Sequence, residues 1–212
     1  MKYIIMADGK SDRWDNYLSV PKHFIEIDGE PIIERTIRLL HAYDQKSEVI
    51  VTSHNKDYEL AGSTRYEPLD NTLEVDRFTR ELIVDDTCFL YGDTYYTEDA
   101  IRRIIQTEAE DILFFGNRDS IVAIKIKDGA LFEEHVDRVR GLFLIGAIEH
   151  CIGWQVYQSF QGLPFNGKGI ADKYILFNDK TMDFNDPEDY LRKIGNFPLT
   201  NPAFRSIYDQ ST

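Results

Sequence analysis

Residues 2–53 constrain the fold more than any other stretch. The apolar run Ile4-Ile5-Met6-Ala7 starts almost at the N-terminus, as a buried first strand does. The polar loop Asp8-Gly9-Lys10-Ser11-Asp12-Arg13 follows it. Residues 30–43 then read as a helix. Pro31 suits the first helical position, where its missing N–H leaves no bond unmade, and Ile33, Ile37 and Leu40 fall on one face. Glu48 to Ser53 returns as a second strand. Strand, helix and strand in that order predict a parallel pair joined by a right-handed crossover. A glycine-containing loop after the first strand is suited to hold phosphates, because its backbone N–H groups can turn inward and its cations can meet the oxygens.

The rest of the chain continues the alternation. Lys22 to Ile27 alternates polar and apolar residues and reads as a short strand over the ligand-binding face. Thr64 to Glu67 is a further short strand. Asn71-Thr72-Leu73-Glu74 has the spacing of a capping box, which predicts a helix to about Leu82. Thr87 to Tyr91 is a buried strand that ends at Gly92-Asp93. Thr97-Glu98-Asp99 opens a helix with acidic residues in its first turn. Strands follow at 111–115 and 121–126, helices at 131–140 and 153–160, and a strand at 173–177. Asp186-Pro187-Glu188-Asp189 opens a last helix to about Ile194. These elements predict a doubly wound α/β fold with a mostly parallel mixed sheet flanked by helices, of Rossmann-like type. Residues 1–195 are expected to form a single domain and 196–212 an extended tail. In such a fold ligands bind at the carboxyl ends of the strands. Asp8 to Arg13, Gly92-Asp93 and Asp183 to Asp186 all fall at such ends.

Charge and cysteine usage narrow the function classes. The formal net charge of −13 over 212 residues disfavours a nucleic-acid surface. It disfavours an anionic membrane surface equally, so the cations of the first loop stand out. Cys88 and Cys151 sit among apolar neighbours and read as buried free thiols. The sequence shows no N-terminal signal pattern and no apolar run of 18 residues, so a cytoplasmic protein is expected. The five histidines show no metal-ligand spacing.

The segment from Ala7 to Pro31 resembles the signature of nucleotidyltransferases with the nucleotide-diphospho-sugar transferase fold. That signature runs Ala-Ala-Gly-x-Gly-Thr-Arg, then Pro-Lys, then Gly-x-Pro. Ala7, Gly9, Arg13, Pro21, Lys22, Gly29 and Pro31 match it in order. Asp8, Ser11 and Asp12 depart from it, replacing Ala, Gly and Thr. The resemblance implies that Ala7, Asp8, Gly9, Lys10, Ser11, Arg13 and Lys22 bind the nucleotide. It further implies that Arg13 and Lys22 stabilise charge on the attacked phosphate. An Arg can grip two phosphate oxygens with its planar fork, whereas Lys acts as a point charge.

The same resemblance assigns a catalytic Mg²⁺ to Asp93, which stands in the family's Gly-Asp position. Asp183-Phe184-Asn185-Asp186-Pro187-Glu188-Asp189 is similar to the family's late acidic segment, with Asn185 at the second metal position and Asp183 in reserve. Mg²⁺ takes one or two protein carboxylates and completes its shell with phosphates and water. Lys168, in the loop Asn166-Gly167-Lys168-Gly169, could reach an acceptor phosphate, although that composition also suits a plain surface turn. Residues 116–170 would form the acceptor side.

The implied activity is Mg²⁺-dependent transfer of a nucleotidyl group from a nucleoside triphosphate to a phosphorylated small molecule, such as a sugar 1-phosphate, with release of pyrophosphate. Two other enzyme readings share the first loop: a cytidylyltransferase for an alcohol phosphate and a molybdenum-cofactor guanylyltransferase. Asp12 motivates a third reading. A carboxylate close to a triphosphate repels it, as expected of a nucleotide-binding protein without turnover in polysaccharide assembly. The nucleobase, the acceptor and the oligomeric state are left open by the sequence.

Overall fold

The computed structural model describes residues 1–9, 13–15, 17–167 and 169–195. Lys10, Ser11, Asp12, Lys168 and the tail 196–212 lie outside the described residues. Among the described residues, eleven strands and five α-helices follow in chain order: β1 (Lys2–Met6), β2 (Glu26–Ile27), β3 (Glu30–Pro31), α1 (Ile32–Tyr43), β4 (Glu48–Thr52), β5 (Thr64–Tyr66), β6 (Thr87–Tyr91), β7 (Thr94–Tyr95), α2 (Glu98–Gln106), β8 (Ile112–Gly116), β9 (Ile121–Ile126), α3 (Gly129–Leu144), α4 (Gly153–Gln161), β10 (Tyr174–Leu176), β11 (Met182–Asp183) and α5 (Pro187–Ile194).

Seven of the strands form one sheet in the order β10-β8-β9-β6-β1-β4-β5. All neighbours are parallel except β9, which runs antiparallel to both β6 and β8. The predicted β1-α1-β4 unit is present, with Lys2 opposite Glu48 and Met6 opposite Thr52. Successive side chains of a strand point to opposite faces. Accordingly Tyr3, Ile5 and Ala7 enter one core with Ile33, Ile37 and Leu40 of α1 and Ala100, Ile101 and Ile104 of α2. Ile4 and Met6 enter the other with Phe132, Val136 and Val139 of α3 and Val156 and Tyr157 of α4. Burial on both faces is why the inner strands read as unbroken apolar runs.

Lys125 is the exception within β9, and the fold accounts for it. Its buried ammonium donates to the carbonyls of Ile104, Ile105 and Thr107 at 3.1, 2.9 and 2.8 Å. These belong to the end of α2, where a helix leaves carbonyls unpaired. Three donors meet three acceptors, so one cation closes the helix from beneath. At the other end, Thr97 Oγ1 accepts from the Ala100 N–H at 3.1 Å. Thr97→Ala is expected to lower stability by about 1 kcal/mol, with Thr97→Ser close to wild type. Urea unfolding checks this, and an unchanged midpoint in the Ala variant would contradict it.

Three segments differ from the sequence reading. Glu30 and Pro31 form β3 rather than the first turn of the helix, and Pro31 is its N-cap with extended backbone. Residues 22–27 are a 3-10 turn, Lys22–Phe24, followed by the two-residue β2. The apolar positions that suggested a strand instead point Ile25 and Ile27 into a small third core. Residues 74–82 are not one helix but two 3-10 turns, Glu74–Phe78 and Arg80–Leu82, broken at Thr79 with φ 41°. The box that the sequence suggested for Asn71 and Glu74 is made two residues later, where Asp76 Oδ2 accepts from the Leu73 N–H at 2.7 Å. The Asn71 side chain is engaged elsewhere. Helix α3 is longer than predicted at both ends. Cys88 and Cys151 are buried free thiols, as expected. Among the described residues no helix is long and apolar enough to cross a membrane.

Candidate active site

The third core positions the site. Trp14, Ile25, Ile27, Ile32, Tyr95, Phe184, Tyr190 and Ile194 pack together at the carboxyl ends of β1 and β6. Trp14 is fully buried, donates Nε1–H to Val20 O at 2.8 Å and meets Tyr190 edge-on. It therefore pins the end of the first loop to α5. The paired strands β7 and β11 belong to the same unit, with Asp183 opposite Thr94 and the Phe184 N–H donating to Asp93 O at 2.9 Å. This packing brings three distant segments of sequence, around Arg13, Asp93 and Asp183, to one place.

A cavity of about 650 Å³ opens there, lined by Arg13, Lys22, Asp93, Asp183 and Asn185 of the predicted residues. Lys22 Nζ pairs directly with Asp93 Oδ2, and both side chains are almost fully buried. Burial acts to raise the Asp93 pKa, but the neighbouring charges, Lys22 first among them, together outweigh it and hold the carboxyl below its ordinary range. Gly92 makes this approach possible. A Cβ at that position would lie 2.7 Å from Met6 O and 3.1 Å from His23 Cδ2. The Gly-Asp dipeptide is thus a packing requirement as well as a motif. His23 is buried behind Lys22, with Nδ1 at 2.7 Å from Tyr58 Oη. Burial pushes its pKa down to about 3, so the imidazole is neutral.

Asp183 accepts from Ser120 Oγ at 2.8 Å, Lys193 Nζ at 3.2 Å and Asn185 Nδ2 at 2.6 Å. Asn185 Oδ1 accepts from Arg13 Nη2 at 3.3 Å. Asp189, read from sequence as a first-turn residue of α5, bonds Lys193, Arg192 and the Asn185 N–H rather than facing the cavity. Asp8 turns away from Arg13 and Lys22. Its carboxylate accepts from the His54 N–H at 2.8 Å and contacts His54 Nδ1 at 2.7 Å. It also accepts from Asn71 Nδ2 at 2.8 Å. Ala7 is buried at the end of β1, its N–H bonded to Thr52 O at 3.2 Å.

Sequence reasoning missed Arg77, Asn71, Ser120 and Lys193. Arg77 lines the cavity and lays its guanidinium over Gly9, where an added Cβ would lie 3.1 Å from Cζ. A single Arg in a polar segment carries no signal of this, and only its place at a carboxyl strand end could have raised it. Lys193 sits at helical spacing from Asp189 and reads as a surface ion pair until the fold carries it to Asp183.

Asp93 and Asp183 supply two hard oxygen donors on one cavity. Among the described residues no group of three or more His, Cys, Asp or Glu gathers as a cage. That donor set suits a cation that takes most of its ligands from phosphates and water, as Mg²⁺ does, rather than a closed protein site.

No protein-family model matches the sequence, and no curated protein sequence matches it. Solved structures do. A glucose-1-phosphate thymidylyltransferase structure from Bacillus anthracis matches with TM-score 0.62 at 15% identity, covering 95% of this chain and 96% of that one. The UDP-glucose pyrophosphorylase structure from Acinetobacter matches with TM-score 0.62 at 10% identity, covering 100% and 99%. The CTP:phosphocholine cytidylyltransferase structure from Streptococcus pneumoniae matches with TM-score 0.54 at 14% identity, covering 92% and 98%. The fold implied by the first-loop resemblance is the fold found. The chain has the nucleotide-diphospho-sugar transferase fold of these nucleotidyltransferase structures.

Proposed function

We propose that the protein is a nucleotidyltransferase that joins a nucleoside monophosphate unit to a phosphorylated small molecule and releases pyrophosphate. One observation carries the reading. The motif residues Arg13 and Lys22 meet Asp93, Asp183 and Asn185 on a single cavity at the carboxyl ends of β1 and β6. The structures that share the fold include enzymes whose names specify sugar phosphate and phosphocholine substrates.

Lys22 and Arg13 bind the triphosphate oxygens, and Arg77 over Gly9 adds a third cation. To do so Lys22 exchanges Asp93 for phosphate, and Arg13 exchanges Asn185. The acceptor phosphate is already anionic, so the chain needs no side-chain nucleophile and no general base. It attacks the α-phosphorus in line, the bond to the leaving pyrophosphate oxygen breaks, and Lys22 and Arg13 meet the charge that builds on the phosphoryl oxygens. Catalysis of this kind is mainly positioning and preorganised charge. Asp93 and Asp183 would hold Mg²⁺, with Asn185 orienting Asp183, and the cation would neutralise charge on the phosphates. Residues 116–170 form the acceptor side through Asp119, Ser120 and Trp154, which line the opposite wall.

The test is pyrophosphate release over a panel of nucleoside triphosphates and phosphorylated acceptors with Mg²⁺. Release that requires one acceptor class supports the proposal. Triphosphate binding without release across the panel would favour the non-catalytic reading. Within an active pair, Arg77→Ala is expected to raise the KM for triphosphate about tenfold, the loss of one charge-assisted hydrogen bond. Unchanged KM would remove Arg77 from the site.

A further inference from the structure

A second cavity, of about 530 Å³, opens between α3 and the turns at 74–82, apart from the proposed active site. Its floor is apolar, with Val75, Phe78 and Val136 all buried. Leu69 and Leu144 stand on its rim at 84% and 62% exposure, and Ile145 follows Leu144 at 77%. Single exposed apolar residues are ordinary. Here they gather around a groove whose floor is apolar too, and such a patch marks a surface that another molecule covers.

Gly141 bears on what covers it. Glu133, Asp137, Gly141 and Leu144 recur at three- and four-residue spacing, so they share one face of α3, and all four line the groove. Glycine in the interior of a helix is unfavourable, because it gives up the most backbone freedom on folding. At Gly141 nothing in the chain calls for it. The backbone is not left-handed, and no atom of the described residues lies within 4 Å of a Cβ built there. What a missing side chain does allow is the close approach of a second helix, since the distance between packed helices is set by the side chains at their contact.

We infer that this face joins two copies of the chain about a two-fold axis, with α3 of each crossing α3 of the other at Gly141. A two-fold contact requires one patch to complement itself, and this one carries both a projection and a recess. In an antiparallel pair, one turn towards the C-terminus of one helix lies opposite one turn towards the N-terminus of the other. Leu144 of each copy therefore meets the groove of the other at the level of Val136 and Phe78. Charge favours the same occupant. Arg80 pairs with Glu133 at 2.7 Å and Asp137 at 2.6 Å, and Arg140 with Asp76 at 3.1 Å and Asp70 at 3.3 Å. The rim thus presents carboxylates already paired within the chain, so the repulsion between two copies of a chain with net charge −13 is least here. A strongly charged partner gains little from such a rim. The stretch from Glu133 to Leu144 is roughly 17 Å of helix, which places the contact at the small end of specific interfaces. A reversible dimer with Kd in the micromolar range is expected.

The experiment is sedimentation velocity of the full chain over a concentration series, with urea unfolding of the same variants at concentrations below the Kd. The wild type should pass from monomer to dimer as concentration rises. Gly141→Leu fills the crossing point without a clash inside its own chain, and Leu144→Asp puts a charge in the groove. Each should raise the Kd by about tenfold or more. Gly141→Ala should weaken the dimer as well, while raising the urea midpoint of the monomer through its better helix propensity. A wild type that stays monomeric at every concentration would overturn the inference. So would a dimer that Gly141→Leu leaves unchanged, which would place the contact on another face. A lowered midpoint in Gly141→Ala would show that the glycine serves its own chain, and would overturn it too. None of these outcomes bears on the proposed activity, whose cavity is lined by one copy alone, and pyrophosphate release should be the same in Leu144→Asp as in wild type.

Discussion

Asp93→Ala is expected to cost about 3–5 kcal/mol of folding stability as well as turnover, because it leaves the Lys22 ammonium buried without a partner. By the family resemblance alone, Asp93 is a Mg²⁺ ligand whose loss would be felt in metal-dependent turnover and not in the fold. The structure buries it against Lys22, so one substitution does two things. The double variant Lys22→Met/Asp93→Ala separates them. Removing both charges leaves nothing unpaired, so most of the stability should return while turnover stays lost. Urea unfolding and pyrophosphate release measured on the same preparations decide this. A double variant as unstable as the single would place the cost in packing rather than in the orphaned charge.

Acid should weaken the fold through His23. Its folded pKa is about 3, against about 6.5 unfolded. Between those values the unfolded chain binds a proton that the folded chain does not, so this contribution is complete above pH 6.5 and is lost as pH falls toward 3. The slope approaches 1.4 kcal/mol per pH unit, or about 2 kcal/mol from pH 7 to pH 5. Carboxylates titrate in the same range, so the quantity to follow is the stability difference between wild type and His23→Phe. It should shift in favour of the variant by about that amount between pH 7 and pH 5. A difference that holds constant with pH would mean that His23 accepts its proton in the folded state.

The strand and helix sequence was legible where burial is two-sided or a cap is local. Residues 2–6 and 87–91 are apolar runs that only a buried strand explains, and Thr97 and Asp186 cap the helices that follow them. Residues 74–82 were not legible. Helical spacing is present there, but Asn71 is drawn away to Asp8 and Thr79 adopts a left-handed backbone, a tertiary demand that no local pattern encodes. The motif residues that line the cavity were legible because their types are chemically narrow: a Gly that must admit a carbonyl, an Arg and a Lys after a strand, an Asp at a strand end. Arg77, Ser120 and Lys193 escaped because an isolated polar residue reads the same on any solvated face. The pairing of Lys22 with Asp93 escaped for a related reason. Each residue was expected to face the ligand, and neither pattern shows that without ligand they face each other.

Single-turnover transfer with triphosphate labelled at the α-phosphorus tests the central claim most directly. The protein is held in excess over labelled triphosphate with Mg²⁺ and a phosphorylated acceptor, and the products are separated by charge. The account predicts that label moves to the acceptor in a diphosphate linkage, with one pyrophosphate released per transfer, and that Lys22→Ala slows the step about tenfold to a hundredfold. Label recovered as free nucleoside monophosphate, or transfer that is unchanged without Lys22, would contradict it.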